Sequence, residues 1–422
     1  MAFMGHFVPL CTIAIKESSM NIFEKAYCRT YQFFLNKIGM PLLAIKNPPL
    51  IEGEGSIKQI ASYLREKGFY RPFVLVSPNL LQSECYKSLS ESLSESNYNP
   101  IFYSEIVPNP TFSCVLGAKA AFVKGNCDSI IALGGGSVMD TAKAVGAMVV
   151  NKIENPEKLK GLLKVHKRFS MLIAIPSTAG TGSETTLAAV LVNEKTKDKF
   201  SINDPNIIPN LAVLDPIVLK TLPPHIIAST GMDALTHAVE AFIGKARTRK
   251  TKSYSIQASR LIFENLEAFY RDPLSQEPRE AMLKASYLAG AAFTRSYVGY
   301  VHALAHALGG FYNVPHGLAN AILLPKLLRV YGKSVYKPLA RLSDASLLLP
   351  YDASNKEKAD SYIAHIEEMN ARMGIPKDFK GVIKEGDLGA LAKHAAKEAN
   401  PLYPVPKELS EKELKNILKE LC

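Results

Sequence analysis

The sequence predicts an α/β N-terminal domain built on a parallel sheet, followed by an all-α C-terminal domain. Two observations carry this. Between residues 51 and 222, short β-rich runs alternate with stretches of helical periodicity, a pattern that implies parallel strands covered on both faces. From about Leu222 onward, apolar residues recur at three- and four-residue spacing and no convincing strand interrupts them. A chain of 422 residues accommodates both domains. The boundary falls just ahead of Pro223-Pro224, giving an extension over 1–50, an α/β domain over 51–222 and a helical domain over 223–422.

Taken in order, the extension opens on a short apolar segment. It lacks a basic leader and contains Pro9, so it is not read as a signal peptide. A helix is expected around Asn21–Ile38, then a link, "KNPPL". This helix is expected to pack on the main body or on a second subunit rather than on a membrane surface. In the α/β region the helical "IKQIASYLREKG" precedes the strand-like "RPFVLVS" (71–77), and "NPIFYSEI" follows a further helix. "CDSIIALGGG" leads into the helical "SVMDTAKAVGAMVV", and "SMLIAIPST" is another buried run. The helical region contains "PPHIIASTGMDALTHAVEAFIG", "YSIQASRLIFENLEAFY", "REAMLKASYLAGAAF" and "LANAILLPKLLRVYG".

Bulk properties narrow the function classes. The net charge is +11, but its densest basic runs, Lys245 to Lys252 and Lys164 to Arg168, are short and lack interleaved aromatics. That disfavours nucleic acid and suits small anionic ligands. None of the six cysteines forms a C-x-x-C pair, which disfavours a structural zinc module or a disulfide framework and fits a reducing, cytoplasmic setting. No apolar run is long enough for a membrane span.

Two loops suggest a phosphate-bearing ligand. In "ALGGGSVMDTAKAVG", Gly134, Gly135 and Gly136 lie between a strand and a helix. Bare backbone can approach a phosphate there, and the helix start offers free N–H groups. Ser137 with Asp140 is read as an S-x-x-D cap. The competing reading is a glycine turn that merely lets strand and helix pack. A second loop, "PSTAGTGSETT", weighs against it by placing Ser177, Thr178, Thr181 and Ser183 after another buried strand. Two such loops at one sheet edge suit a dinucleotide.

The helical half contains a second constellation. Asp233 and His237 are four residues apart in "GMDALTHAVE", and His302 and His306 repeat that spacing in "HALAHALGG". Gly309-Gly310 is expected to break the second helix and leave His316 on a turn. One carboxylate with two or three imidazoles suits a first-row divalent metal, with zinc and iron both open. A helical Asp–His pair can also be a plain hydrogen bond, but two pairs and a loop histidine together favour a metal site. A dinucleotide beside a metal in apolar surroundings points to hydride transfer, because the metal can lower the pKa of an alcohol and polarise an aldehyde.

"GGGSVMDTAKAVG", "PSTAGTGSETT", "GMDALTHAVEAF" and "HALAHALGGFYNVPHGLANAILLP" together resemble the iron-containing (group III) alcohol dehydrogenases, over roughly residues 51–420. The resemblance implies a dinucleotide-binding α/β domain, a metal-binding helical domain with the active site between them, a small alcohol or aldehyde substrate, and a homodimer. It assigns the metal, Fe2+ or else Zn2+, to Asp233, His237, His302 and His316. His306 is left free beside the nicotinamide to assist proton transfer. It places Asn109, Gly135, Gly136, Ser137, Ser177, Thr178, Thr181, Val190 and Lys199 on the cofactor. One departure concerns the cofactor: Ser77 and Pro78 stand where NAD-preferring members often carry an aspartate for the ribose, so NAD and NADP both remain open. A zinc-dependent, glycerol-type dehydrogenase or a non-redox lyase on the same scaffold is the alternative.

Overall fold

The computed structural model describes residues 20–196 and 199–422; the apolar start and Cys11 lie outside the described residues. Among the described residues nine strands occur, in chain order β1 (Leu50–Glu52), β2 (Pro72–Val76), β3 (Ile101–Tyr103), β4 (Ser129–Gly134), β5 (Gly161–Leu162), β6 (Leu172–Pro176), β7 (Ala188–Val192), β8 (Lys199–Asn203) and β9 (Leu211–Leu214). Six of them form a parallel sheet in the order β1-β9-β6-β4-β2-β3. Strands β2, β4 and β6 are buried along their whole length, as their unbroken apolar runs require. The chain runs from β2 outward to β3, then returns to the other side of β2 as β4. That reversal makes a topological switch point between β2 and β4, the place where open parallel sheets of this kind receive a ligand at their carboxyl ends.

Side chains alternate across this sheet with the period of two that strands impose. Val74, Val76, Ile131, Leu133, Ile173 and Ile175 join a core that continues into the C-terminal helices. Phe73, Leu75, Ile130, Ala132, Leu172 and Ala174 face a second core on the opposite side. One sheet face therefore shares a continuous apolar interior with the helical half, which fixes the crevice over the helices. A small second sheet was not foreseen in the sequence. In it β8 pairs antiparallel with β7 and parallel with β5. Its strands are at most five residues long, and in β7 and β8 buried positions alternate with more exposed ones.

After Leu214 the described residues contain helices and no strand. Three local expectations need correction. The helix after β4 spans Gly136–Asn151 with Gly135 as its cap residue, so Ser137 lies inside the first turn and makes no cap. Asp140 turns away from the helix end to accept hydrogen bonds from Val190 N (3.0 Å) and Ser183 Oγ (3.3 Å). Gly309-Gly310 does not break its helix, which runs Tyr300–Tyr312 and stops at Asn313 in the left-handed region, φ 54°. His316 is not on a turn but opens the next helix, His316–Tyr331, directly after Pro315. In the extension, Asn21 and Glu24 form a capping box for an Ile22–Phe34 helix. It packs on the main body, through hydrogen bonds to the 401–406 segment. No helix of the described residues is long and apolar enough to cross a membrane.

Candidate active site

The two loops meet because β4 and β6 are neighbours in register: Gly134 pairs with Pro176, and Ser177 N donates to Gly134 O at 3.0 Å. A Cβ added at Gly135 would sit 3.4 Å from Thr178 Cγ2, and one at Gly136 would sit 3.3 Å from Thr181 Cγ2. The glycines thus keep a narrow, backbone-lined gap between the loops, at a helix start whose first N–H groups have no side-chain cap. Thr178 Oγ1 is buried without a partner. Ser183 belongs to the scaffold instead. Together with Thr186 Oγ1 (2.8 Å) and Ala188 O (2.8 Å), its hydroxyl (2.9 Å) receives the buried Lys143 ammonium. Burial pushes Asp140 up to about 6 and Lys143 down to about 8, with the attraction between the two opposing each shift. Across the crevice Lys199 Nζ donates to Asn109 Oδ1 at 2.9 Å, and Asn109 itself has φ 53°. Val190, whose N–H is bound by Asp140, is half-buried on the same side. The structure therefore brings Gly135, Gly136, Ser177, Thr178 and Thr181 together at the ends of β4 and β6, with Ser137 in the first turn of the following helix, and pairs Asn109 with Lys199.

The floor is built by three helices. Pro224–Ile243 supplies Asp233 and His237, Tyr300–Tyr312 supplies His302 and His306, and His316–Tyr331 supplies His316 and Asn320. Ligand-capable atoms of the buried Asp233, His237 and His302 lie within 4.8 Å of one another. His316 stands just outside this tight group, with Nε2 3.6 Å from Asp233 Oδ1. Close approach of its helix to the Asp233 helix depends on Gly317, where a Cβ would fall 2.3 Å from Ser229 O. Asn320 Nδ2 donates to Asp233 Oδ1 (2.7 Å) and lies 3.1 Å from His316 Nε2. The His237 ring is sandwiched between Phe293, with centroids 4.1 Å apart, and His302, at 4.5 Å.

Electrostatics favour a cation here. Burial lowers the pKa of His237, and burial with the neighbouring imidazoles lowers that of His302 well below its ordinary value. Burial likewise brings His316 down to about 4. These are neutral rings with lone pairs to give. His302 Nδ1 is held by Glu240 Oε2 at 2.6 Å, while Glu240 also accepts from Gly299 N (2.8 Å) and Val301 N (2.9 Å). That grip turns His302 Nε2 toward Asp233 Oδ1, 3.8 Å away. His302 Nε2 and His237 Nδ1 have no hydrogen-bond partner, although both are buried. With its Nδ1 proton directed at Glu240, His302 Nε2 is an orphaned acceptor beside a buried carboxylate, which costs roughly 1–3 kcal/mol unless a cation completes the site. The donor set of one oxygen and imidazole nitrogens fits a divalent first-row metal.

His306 belongs to a different arrangement. Its Nδ1 pairs with Glu398 Oε1 at 2.7 Å, and its ring stacks on His316 with centroids 5.0 Å apart. Burial alone would lower its pKa, but the charge and hydrogen bond of Glu398 prevail and raise it. Its side chain is 38% exposed, so it lines the crevice and can reach a ligand. The charge of Lys199 is felt at His306 and His316, which links the cofactor wall to the histidine floor. The sequence reading missed Glu240, Asn320 and Glu398. Glu240 lies in the quoted "DALTHAVE", three residues after His237, and Asn320 four after His316. Glu398 is 92 residues from His306 and gave no local signal.

Comparison with known proteins places this geometry. Residues 47–216 match the family model for iron-containing alcohol dehydrogenase, and residues 227–422 match the C-terminal model of the Fe-containing alcohol dehydrogenase family. The chain belongs to the iron-containing alcohol dehydrogenases. Alcohol dehydrogenase 4 of Saccharomyces cerevisiae is 35% identical over 354 residues, covering 83% of this chain and 91% of the yeast protein. A crystal structure of 1,3-propanediol oxidoreductase superposes with a TM-score of 0.86 at 30% identity, covering 90% of this chain and all (100%) of that one. A sulfoacetaldehyde reductase from Bifidobacterium kashiwanohense in complex with NAD+ gives 0.81 at 26% identity, covering 89% and 98%. Membership makes this chain an oxidoreductase of the alcohol dehydrogenase type with the two-part fold described above.

Proposed function

We propose that this iron-type alcohol dehydrogenase interconverts a small primary alcohol or diol with its aldehyde, using NAD or NADP and a metal held by Asp233, His237, His302 and His316. The carrying observation is the pair of orphaned ring nitrogens beside buried Asp233, at the floor of a crevice whose mouth is the glycine loop. On this reading residues 51–222 bind the dinucleotide and 223–422 bind the metal. Backbone at Gly135, Gly136 and Ser137 receives the diphosphate at the helix start. Ser177, Thr178, Thr181, Asn109, Val190 and Lys199 line the rest of the cofactor path.

A metal held by these residues would supply Lewis acidity at the substrate oxygen, and a bound nicotinamide would supply or accept the hydride. The chain's own residues do the rest. An alcohol that gives up a hydride must also lose a proton, and His306 is the exposed base that takes it. Glu398 anchors Nδ1 of that ring, leaving Nε2 to face the crevice. Glu240 fixes the His302 ring in the same manner. The apolar surroundings of the Tyr300–Tyr312 helix exclude water from the floor.

Ser77 and Pro78 at the end of β2 bring no carboxylate to the adenosine end, which supports use of NADPH beside NADH. The free thiols of the described residues suit a cytoplasmic setting, and the family resemblance supports a homodimer. Assays of NADH and NADPH with short aldehydes, on protein purified without oxygen and analysed for metal, test the proposal. Aldehyde-dependent loss of reduced nicotinamide, abolished by chelation and restored by Fe2+, is expected. Metal-loaded protein inert toward a broad alcohol and aldehyde panel contradicts it.

A further inference from the structure

The α/β family match begins at residue 47, yet a helix ahead of it reaches the machinery around His306. We infer that the Ile22–Phe34 helix is a positioning element for His306, acting through the 401–408 segment. The inference rests on the proton-transfer role given to His306 above.

The 401–408 segment, "PLYPVPKE", has no regular secondary structure, and its prolines lack the N–H groups a ladder would need. Its carbonyls still need donors. Lys245 N takes the Pro404 carbonyl at 2.6 Å. Val405 N reaches the Tyr403 carbonyl from within the segment at 2.8 Å, and one face of the extension helix supplies further donors. Gln32, 3% exposed, donates through Nε2 to Pro401 O (3.0 Å) and Tyr403 O (2.8 Å). Arg29 donates to Val405 O (2.8 Å) and Pro406 O (3.3 Å), braces Gln32 Oε1 (2.9 Å), and pairs with Glu408.

Tyr403, gripped at its carbonyl, donates its hydroxyl to Glu398 Oε1 at 2.8 Å. That same oxygen holds His306 Nδ1. Gln32, Tyr403, Glu398 and His306 therefore form one continuous hydrogen-bonded line from the extension to the crevice. Loosening Tyr403 frees Glu398, and with it the ring orientation that presents His306 Nε2. The four metal-site side chains are not on this line.

The test uses the full chain with Tyr403→Phe and Gln32→Met, each made alone and together with His306→Ala. Measurements are kcat, cofactor KM and bound metal. With His306 present, each variant is expected to lower kcat about three- to tenfold, Tyr403→Phe by removing the hydroxyl bond to Glu398 and Gln32→Met by releasing the Tyr403 carbonyl, with metal content and cofactor KM unchanged. In the His306→Ala background neither should lower kcat further. An equal loss in both backgrounds, the result of mere destabilisation, overturns the inference, as does an unchanged kcat with His306 present. If His306→Ala alone keeps the original rate, the proton-transfer reading itself fails and takes this inference with it. That outcome is separate from a failed coupling.

Discussion

At the mouth of the crevice the recognition surface is mostly backbone, whereas at its floor it is entirely side chain. The glycine loop and the hydroxyl loop each occupy a dozen residues or fewer of sequence and face each other because β4 and β6 are adjacent. Their supporting charges, Asp140 and Lys143, are paired within the scaffold. The floor draws Asp233, His237, His302 and His316 from three helices and leaves two buried ring nitrogens unpaired. A backbone-built site is damaged by added bulk. A side-chain-built site is damaged by the loss of a single group.

That difference can be pressed from its strongest consequence downward. Asp233→Ala removes the one carboxylate of the cluster, so bound metal should vanish and activity should fall below about one hundredth, read by metal analysis and aldehyde reduction. Full metal occupancy in this variant would remove Asp233 from the floor. His306→Ala should lower kcat roughly 100-fold, the scale of general acid–base catalysis, with cofactor affinity intact. Glu240→Gln leaves every proposed ligand in place but weakens the grip on His302. Metal affinity should drop about tenfold in equilibrium dialysis against a competing chelator. At the mouth, Gly136→Val puts branches into the gap beside Thr181, so cofactor affinity should weaken about tenfold in a fluorescence titration while metal content stays unchanged. If Gly136→Val also lost metal, the mouth and floor would not be separable.

The same contrast explains what the sequence disclosed. The parallel sheet was legible because β2, β4 and β6 are unbroken apolar runs, and the mouth was legible because its glycines and hydroxyls are local in sequence. The i, i+4 spacing exposed both histidine-bearing helices. What stayed hidden depends on tertiary packing. Gly309-Gly310 looked like a helix break, but the helix continues through both to Tyr312 and ends where Asn313 turns left-handed. Ser137 looked like a cap, but Gly135 already takes the cap position and Asp140 is committed to Val190 and Ser183. Glu398 and Tyr403 lie too far along the chain from His306 for any spacing rule to reach them.

His302 and His306 share one helix at the spacing of a ligand pair, yet the structure gives them different partners, Glu240 with a free Nε2 for one and Glu398 for the other. The metal-to-protein ratio of His302→Ala and His306→Ala, purified side by side without oxygen, tests that division most directly. The account predicts a ratio near zero for His302→Ala and an unchanged ratio for His306→Ala. Metal lost from both variants, or kept by both, would contradict it.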